Sequence, residues 1–188
     1  MPITVTSTAL AGLMIIDPVV FRDSRGCFLE TYHQQKYLEL GLPRSFVQDN
    51  HSHSHYGTLR GLHYQLHRPQ GKLVYVVAGE IFDVAVDIRH GSPSFGQWLG
   101  ITLSSENKRQ MFIPEGFAHG FCVVSAEADV IYKCTDFYAP DDEYGILWSD
   151  PGIKIAWPIT DPLISPKDSS NPELGSVPLT KLPVYHRT

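Results

Sequence analysis

The chain has little cysteine, no long apolar run and no surplus of positive charge. Its 188 residues include only Cys27, Cys122 and Cys134. An odd number without regular spacing excludes a disulfide framework or a zinc knuckle and points to a reducing cytoplasm. No stretch approaches the roughly 18 apolar residues that a membrane-spanning helix needs. Residues 1–11 lack the basic and apolar regions of a signal peptide. A formal net charge of −5 at pH 7 argues against a dedicated nucleic-acid binder, whose footprint is basic. An anionic small ligand stays open, because a few local cations decide that. Helical periodicity is also scarce, and residues 33–40, stopped by Gly41 with Pro43 beyond, are the best helix candidate. What remains is 43% hydrophobic and 19% charged, ordinary globular material sized for a single domain over 1–188.

Short β-branched and aromatic runs separated by turn residues fill the rest. Residues 4–20 read as one or two strands, 21–26 as a turn carrying Arg22 and Arg25, 27–32 as a strand bearing Glu30, and 46–51 as a strand with a polar end. His51-Ser52-His53-Ser54-His55 reads as a solvated loop, although on a strand its histidines would share a face and could hold a metal. Further strands are expected at 72–77, 81–88, 97–103, 110–113, 117–124, 128–135 and 153–157. In 81–88, Phe82, Val84, Val86 and Ile88 alternate with Asp83, Ala85 and Asp87, the pattern of a strand with one buried face. Residues 138–145 read as a polar loop. From about 158 a proline- and serine-rich tail is expected to wrap the barrel, with one short helix near Ser165. Regularly spaced strands indicate an antiparallel β-sandwich or barrel.

One stretch stands out, Gly57-Thr58-Leu59-Arg60-Gly61-Leu62-His63-Tyr64-Gln65. Its glycines suggest a tight bend or close backbone approach, and Leu59 and Leu62 require a core, so His63 belongs in a wall. Alone, it is either a catalytic base with Arg60 as anion clamp or a hydrogen-bonded core histidine. The spacing of Gly57, His63 and Gly79 resembles the first motif of the cupin jelly rolls, and Pro114-Glu115-Gly116-Phe117-Ala118-His119 resembles the second. Metal-binding cupins place His-x-His and a carboxylate in the first motif. Here Gln65 replaces the second histidine, and no carboxylate lies between Leu66 and Lys72. His63 and His119 are too few to hold a catalytic divalent ion. The expectation is an all-β, cupin-like antiparallel jelly roll with a few short peripheral helices, working by acid–base chemistry. In such a barrel Lys72 can stabilise an oxyanion, a tyrosine can donate a proton, and Arg25 and Arg60 can clamp phosphate. Acid, base and oxyanion cation together suit proton abstraction beside a carbonyl.

Longer motifs narrow this. Asp23-Ser24-Arg25-Gly26 through Glu30-Thr31-Tyr32, Gln48-Asp49-Asn50-His51-Ser52 through Gln65, and Phe82 through Arg89 followed by Ser92 to Trp98 are the first three. Ile113 to Phe121, Tyr132-Lys133-Cys134-Thr135 and Ser165-Pro166-Lys167-Asp168 complete the set. Together, over about residues 21–172, they resemble the dTDP-4-dehydrorhamnose 3,5-epimerase family of dTDP-L-rhamnose synthesis. The resemblance implies a homodimeric, metal-free jelly roll without a cofactor that inverts C3 and C5 of dTDP-4-dehydro-6-deoxy-D-glucose. It implies His63 as base paired with Asp168, Tyr132 as acid on the opposite face and Lys72 at the C4 enolate. Arg60 and His119 would hold the diphosphate-sugar region. Arg25, Glu30, Gln48, Asn50, Glu143 and Lys167 would surround nucleotide and sugar, with part of the pocket supplied by the neighbouring subunit.

Local sequence offers plainer roles. Asp168 could belong to a helix start after Ser165, Tyr132 could be a barrel-wall tyrosine, Lys72 an exposed lysine and Glu143 a solvated acid. In one departure, the first of two tyrosines that the family often carries is here Phe137, followed by Tyr138; phenylalanine keeps a stacking face for the base. Competing readings are a C3-only or C5-only epimerase, a catalytically silent sugar-nucleotide-binding barrel, and a metallo-cupin using His51, His53 and His55.

Overall fold

The computed structural model describes residues 2–43 and 45–186. In chain order its elements are β1 (Thr4–Ser7), β2 (Met14–Asp17), β3 (Val20–Asp23), β4 (Gly26–Leu29), α1 (Gln34–Glu39), β5 (Gln48–His55), β6 (Thr58–Gln65) and β7 (Lys72–Ala78). They continue with β8 (Glu80–Asp87), β9 (Trp98–Ser104), β10 (Gln110–Ile113), β11 (Phe117–Val123), β12 (Glu127–Cys134), β13 (Glu143–Gly145), β14 (Leu163–Ile164) and α2 (Pro166–Ser169). One sheet runs β1-β2-β10-β7-β12-β5 and the other β13-β6-β11-β8-β9, with β14 added beside β6. Among the named strands only the β14–β6 pairing is parallel, and a single parallel bridge joins His90 to Val184. Two antiparallel sheets face to face make the sandwich that the turn spacing anticipated and the jelly roll that the cupin-like motifs implied.

The core lies in three layers. Val74, Val76, Met111, Ile113 and Val130 of the first sheet meet Ile81, Ala85, Leu103, Phe117 and Phe121 of the second. On the far side of the second sheet, Val84, Val86 and Ala118 are covered by Ile153, Leu174, Val177 and Leu182 from the C-terminal tail. On the far side of the first, Tyr37 of α1 packs with Ile16, Leu73 and Phe112. This layering corrects the reading of 81–88: β8 is central and its aspartates Asp83 and Asp87 are fully buried with their apolar neighbours. Alternation there separates two buried faces instead of an inner from an outer one.

Three other expectations change. The His51–His55 run is strand, because β12 supplies a complete antiparallel partner from Gln48 to His55; backbone pairing outweighs the weak strand preference of Ser and His. Residues 153–157 do not form a strand. Asp150 Oδ1 accepts the N–H groups of Gly152 and Ile153, curling the chain into a turn as an aspartate side chain does. The segment 21–26 is a hairpin, β3 paired with β4 in a two-stranded sheet of its own. The helix sits as expected, with His33 as N-cap and Gly41 at φ +89° beyond it.

Asp87 fastens the turn that leads into β9. Its carboxylate accepts from Arg89 Nη2 at 2.7 Å, Ser92 Oγ at 2.6 Å and Ser94 Oγ at 2.7 Å, while the Arg89 guanidinium stacks on Phe117 and Tyr185. Burial works to raise the Asp87 carboxyl, but these hydrogen bonds win and hold it below the usual carboxylate range. A depressed carboxyl stabilises the fold above its unfolded pKa, and that contribution is lost as pH falls through the folded one. Asp87→Asn is expected to cost about 3–5 kcal/mol in urea unfolding at neutral pH, since it strands a partly buried arginine. The deficit relative to the parent should shrink toward low pH.

Candidate active site

A cavity of about 990 Å³ opens between the sheets, walled by β5, β6, β7, β11 and β12 and roofed by β13 and α2. His63, Asp168, Tyr132, Lys72, Gln48, Asn50, Arg60, His119, Glu143 and Lys167 all border it.

Close backbone approach places His63 and His119 side by side at the cavity. His63 on β6 and His119 on β11 are register partners, and the register slips between His119 and Phe121. Gly61 sits at φ +111°, and a Cβ there would lie 2.6 Å from Gly120 Cα and 2.6 Å from His119 O. Only glycine fits both the dihedral and the gap. The bend frees the Gly61 N–H to donate to Asp168 Oδ2 at 3.3 Å, while Asp168 Oδ1 lies 2.7 Å from His63 Nε2. A carboxylate only accepts, so Nε2 carries the proton and Nδ1 is left with its lone pair. Asp168 also performs its local role, donating its N–H to Ser165 Oγ at 3.0 Å as α2 begins. Burial works to raise the Asp168 carboxyl; the bond to His63 and the Gly61 and Ser165 contacts overcome it and keep the group ionised.

His119 is differently held. It is buried, and its Nε2 lies 2.7 Å from Asp83 Oδ1 on β8. Burial pushes its pKa down, against the pull of Asp83. Asp83 was missed by sequence reading because its place in the alternation looked solvent-facing. It is fully buried, and its Oδ2 has no hydrogen-bond partner among the described residues. Lys72 supplies compensating charge. It is a partly buried side chain rather than an exposed lysine; burial lowers its pKa, opposed by the nearby Cys134, Asp83 and Glu143. Its Nζ lies 5.9 Å from the Tyr132 ring centroid. Burial raises the Tyr132 phenol, so it stays a neutral proton donor.

A polar lip continues outward. Gln48 Nε2 donates to Asn50 Oδ1 at 3.0 Å, Asn50 Nδ2 donates to Cys134 Sγ at 3.5 Å, and Arg60 Nε donates to Ser54 Oγ at 3.2 Å. Glu143 is no solvated loop acid: it lies on β13, ion-paired with Lys167 and accepting from Tyr138 Oη at 2.7 Å. Burial would raise it, yet Lys167 and Tyr138 hold it below the usual range.

Three expected residues stand elsewhere in this chain. Arg25 is at the exposed tip of the β3–β4 hairpin, paired with Asp23 at 2.6 Å. Glu30 pairs with Lys36 at 2.8 Å beside α1. Phe137 is 54% exposed, with the Arg68 guanidinium 5.9 Å from its ring, and Tyr138 takes the place at the cavity. The hairpin explains the first two, since its strands pair only with each other and Glu30 follows directly after β4.

The fold type often carries a metal, and the donor set here does not fit one. His63 and His119 are a single pair of facing imidazoles on β6 and β11, too few to hold a catalytic divalent ion, and Gln65, at the missing ligand position, donates its amide to the carbonyls of Arg68 and Phe137. What the walls do offer is an oriented imidazole, a neutral phenol and an ammonium around one volume, the set for moving protons on a carbon acid.

A family model described as dTDP-4-dehydrorhamnose 3,5-epimerase matches residues 7–176. A protein of that name from Pseudomonas aeruginosa is 58% identical over 165 residues, covering 87% of this chain and 91% of its own length. Another, from Neisseria gonorrhoeae, is 56% identical over 165 residues, 87% of this chain but only 50% of its own length. A dTDP-6-deoxy-D-glucose-3,5-epimerase from Legionella pneumophila, solved in complex with dTDP-4-keto-L-rhamnose, superposes with a TM-score of 0.96 at 51% identity. That superposition covers 98% of this chain and 100% of the other.

Proposed function

This chain belongs to the dTDP-4-dehydrorhamnose 3,5-epimerase family, and from that premise we propose how its cavity performs the reaction. The enzyme inverts C3 and C5 of dTDP-4-dehydro-6-deoxy-D-glucose to give dTDP-4-dehydro-L-rhamnose. Both carbons flank the C4 ketone, so each proton is acidic once the resulting enolate is stabilised. His63 Nδ1 takes the proton, with Asp168 holding the imidazole by its other nitrogen and balancing the charge it gains. The electron pair moves to the C4 oxygen, where Lys72 meets the developing anion. Tyr132 returns a proton to the opposite face, which converts removal and return into inversion. Arg60 and His119 line the diphosphate-sugar side, and Gln48, Asn50, Tyr138, Glu143 and Lys167 the nucleotide and sugar. The observation that carries this reading is the 2.7 Å His63–Asp168 contact with Lys72 and Tyr132 on the same cavity.

The exposed hairpin completes the proposal. Phe21 is 61% and Phe28 70% exposed on it, a cost that a partner would remove. We place this hairpin, with Arg25 and Glu30, at the mouth of a second subunit's cavity in a homodimer. Within one cytoplasmic domain the free thiols of Cys27, Cys122 and Cys134 suit reducing conditions. Among the described residues, no helix is long and apolar enough to cross a membrane.

The direct test is incubation with dTDP-4-dehydro-6-deoxy-D-glucose in deuterated water, read by NMR. Deuterium is expected at both C3 and C5. Label at one carbon alone would make this a single-site epimerase, and no label would refute the assignment. Tyr132→Phe should spare exchange while slowing inversion by about 10²-fold or more; equal loss of both would remove Tyr132 from the opposite face.

A further inference from the structure

On β5 the side chains of Asn50, Ser52 and Ser54 alternate with those of His51, His53 and His55, so the three histidines share one exposed face. β5 is the last strand of its sheet, with β12 as its neighbour. Register sets Glu127 opposite His55 and Asp129 opposite His53. Asp129 Oδ1 lies 3.1 Å from His53 Nδ1 and 2.7 Å from His51 Nε2. A carboxylate only accepts, so His53 Nδ1 carries its proton and Nε2 keeps a lone pair. That nitrogen is 3.8 Å from Glu127 Oε2. The rings of His53 and His55 meet edge to face with centroids 5.5 Å apart. One ligand atom each from His53, His55 and Glu127 falls within 4.8 Å of the other two.

We propose that His53, His55 and Glu127 form a divalent transition-metal site of the zinc type, with Asp129 orienting His53. Two imidazole nitrogens and one carboxylate are the donors such ions take, and they leave a fourth position for water. Tetrahedral ligand atoms at about 2.0–2.2 Å from the ion stand roughly 3.3–3.5 Å apart. The observed 3.8 Å therefore closes by small rotations of exposed side chains. A carboxylate on the far nitrogen of a ligating histidine is the usual support for such a site. Nitrogen donors select zinc, nickel or copper over magnesium and calcium. The ion would clamp the open edge of the sheet to β12, where an unpaired strand is otherwise free to take up another chain. Of its ligands, His53 borders the epimerisation cavity, whereas His55 and Glu127 do not line it.

Calorimetric titration of the full, untagged protein with Zn²⁺ tests this. One equivalent is expected to bind, and the bound ion to raise the melting temperature. His55→Ala and Glu127→Gln should each weaken binding by at least about tenfold, and Asp129→Asn by about 10–100-fold, while His90→Ala leaves it unchanged. Because His55 and Glu127 are exposed, far-UV circular dichroism should show all variants folded, and His55→Ala should epimerise at the parent rate. Cobalt in place of zinc should give the strong visible absorption of a four-coordinate ion, lost in Glu127→Gln. No zinc binding by the parent protein, or binding undiminished in both His55→Ala and Glu127→Gln, would overturn the proposal.

Discussion

His63→Ala is expected to lower both epimerisation and solvent exchange by about 10²–10⁴-fold, the usual contribution of one positioned base. The protein should remain folded. The His63 side chain is 28% exposed, and the Asp168 carboxylate keeps the Gly61 N–H when the imidazole is gone. Asp168→Asn should slow the proton-transfer step on a similar scale, because an amide can turn its NH₂ toward His63 Nε2 and select the tautomer with its proton on Nδ1, the nitrogen that has to accept. Deuterium exchange and urea unfolding on the same samples separate the outcomes. Exchange within tenfold of the parent in His63→Ala would transfer the role of base to another group.

Lys72→Met should cost about 10²–10³-fold in kcat, the scale seen when one oxyanion donor is removed. Methionine keeps the length and the contact with the Tyr132 ring while deleting the charge. The loss should fall mainly on kcat, because the enolate exists only after the proton has left. Burial gives a second signature. The parent should lose activity on the alkaline side at a pH below the ordinary lysine range, since the depressed pKa removes the cation earlier as pH rises. That limb should be absent from Lys72→Met. A change confined to KM would instead make Lys72 a group that only binds ground-state substrate.

Much of the fold was legible from alternation and turn residues, and the misreadings share a cause. β8 reads as a one-sided strand because the residues that cover its second face, Leu174, Val177 and Leu182, lie some ninety positions later. The histidine run reads as a loop because its pairing partner β12 is also remote in sequence. Both depend on long-range contacts that no local window contains. The site divides in the same way. Gly57 and Gly61 announced a bend or close backbone approach, and the absence of a second histidine at Gln65 pointed away from a metal. The pairing of Asp168 with His63 came only through motif resemblance, since locally Ser165 and Asp168 describe a helix start and nothing more. Asp83 left no trace, because a buried aspartate on a central strand reads like one on a wet face. Arg25 is on, and Glu30 just beyond, a hairpin that pairs with neither main sheet, so a sequence motif can carry them while this chain's cavity lining does not include them.

The tail that covers the second sheet also carries Asp168, 105 residues from the histidine it orients. The dyad is therefore a long-range closure held by a segment with few strand pairings of its own among the described residues, the two-residue β14 beside β6 and a single bridge from Val184 to His90. Segments of that kind open locally at lower free energy than the core they rest on. Activity is therefore expected to report the docking of the tail as well as the integrity of the barrel, and on heating, inactivation is expected to precede melting.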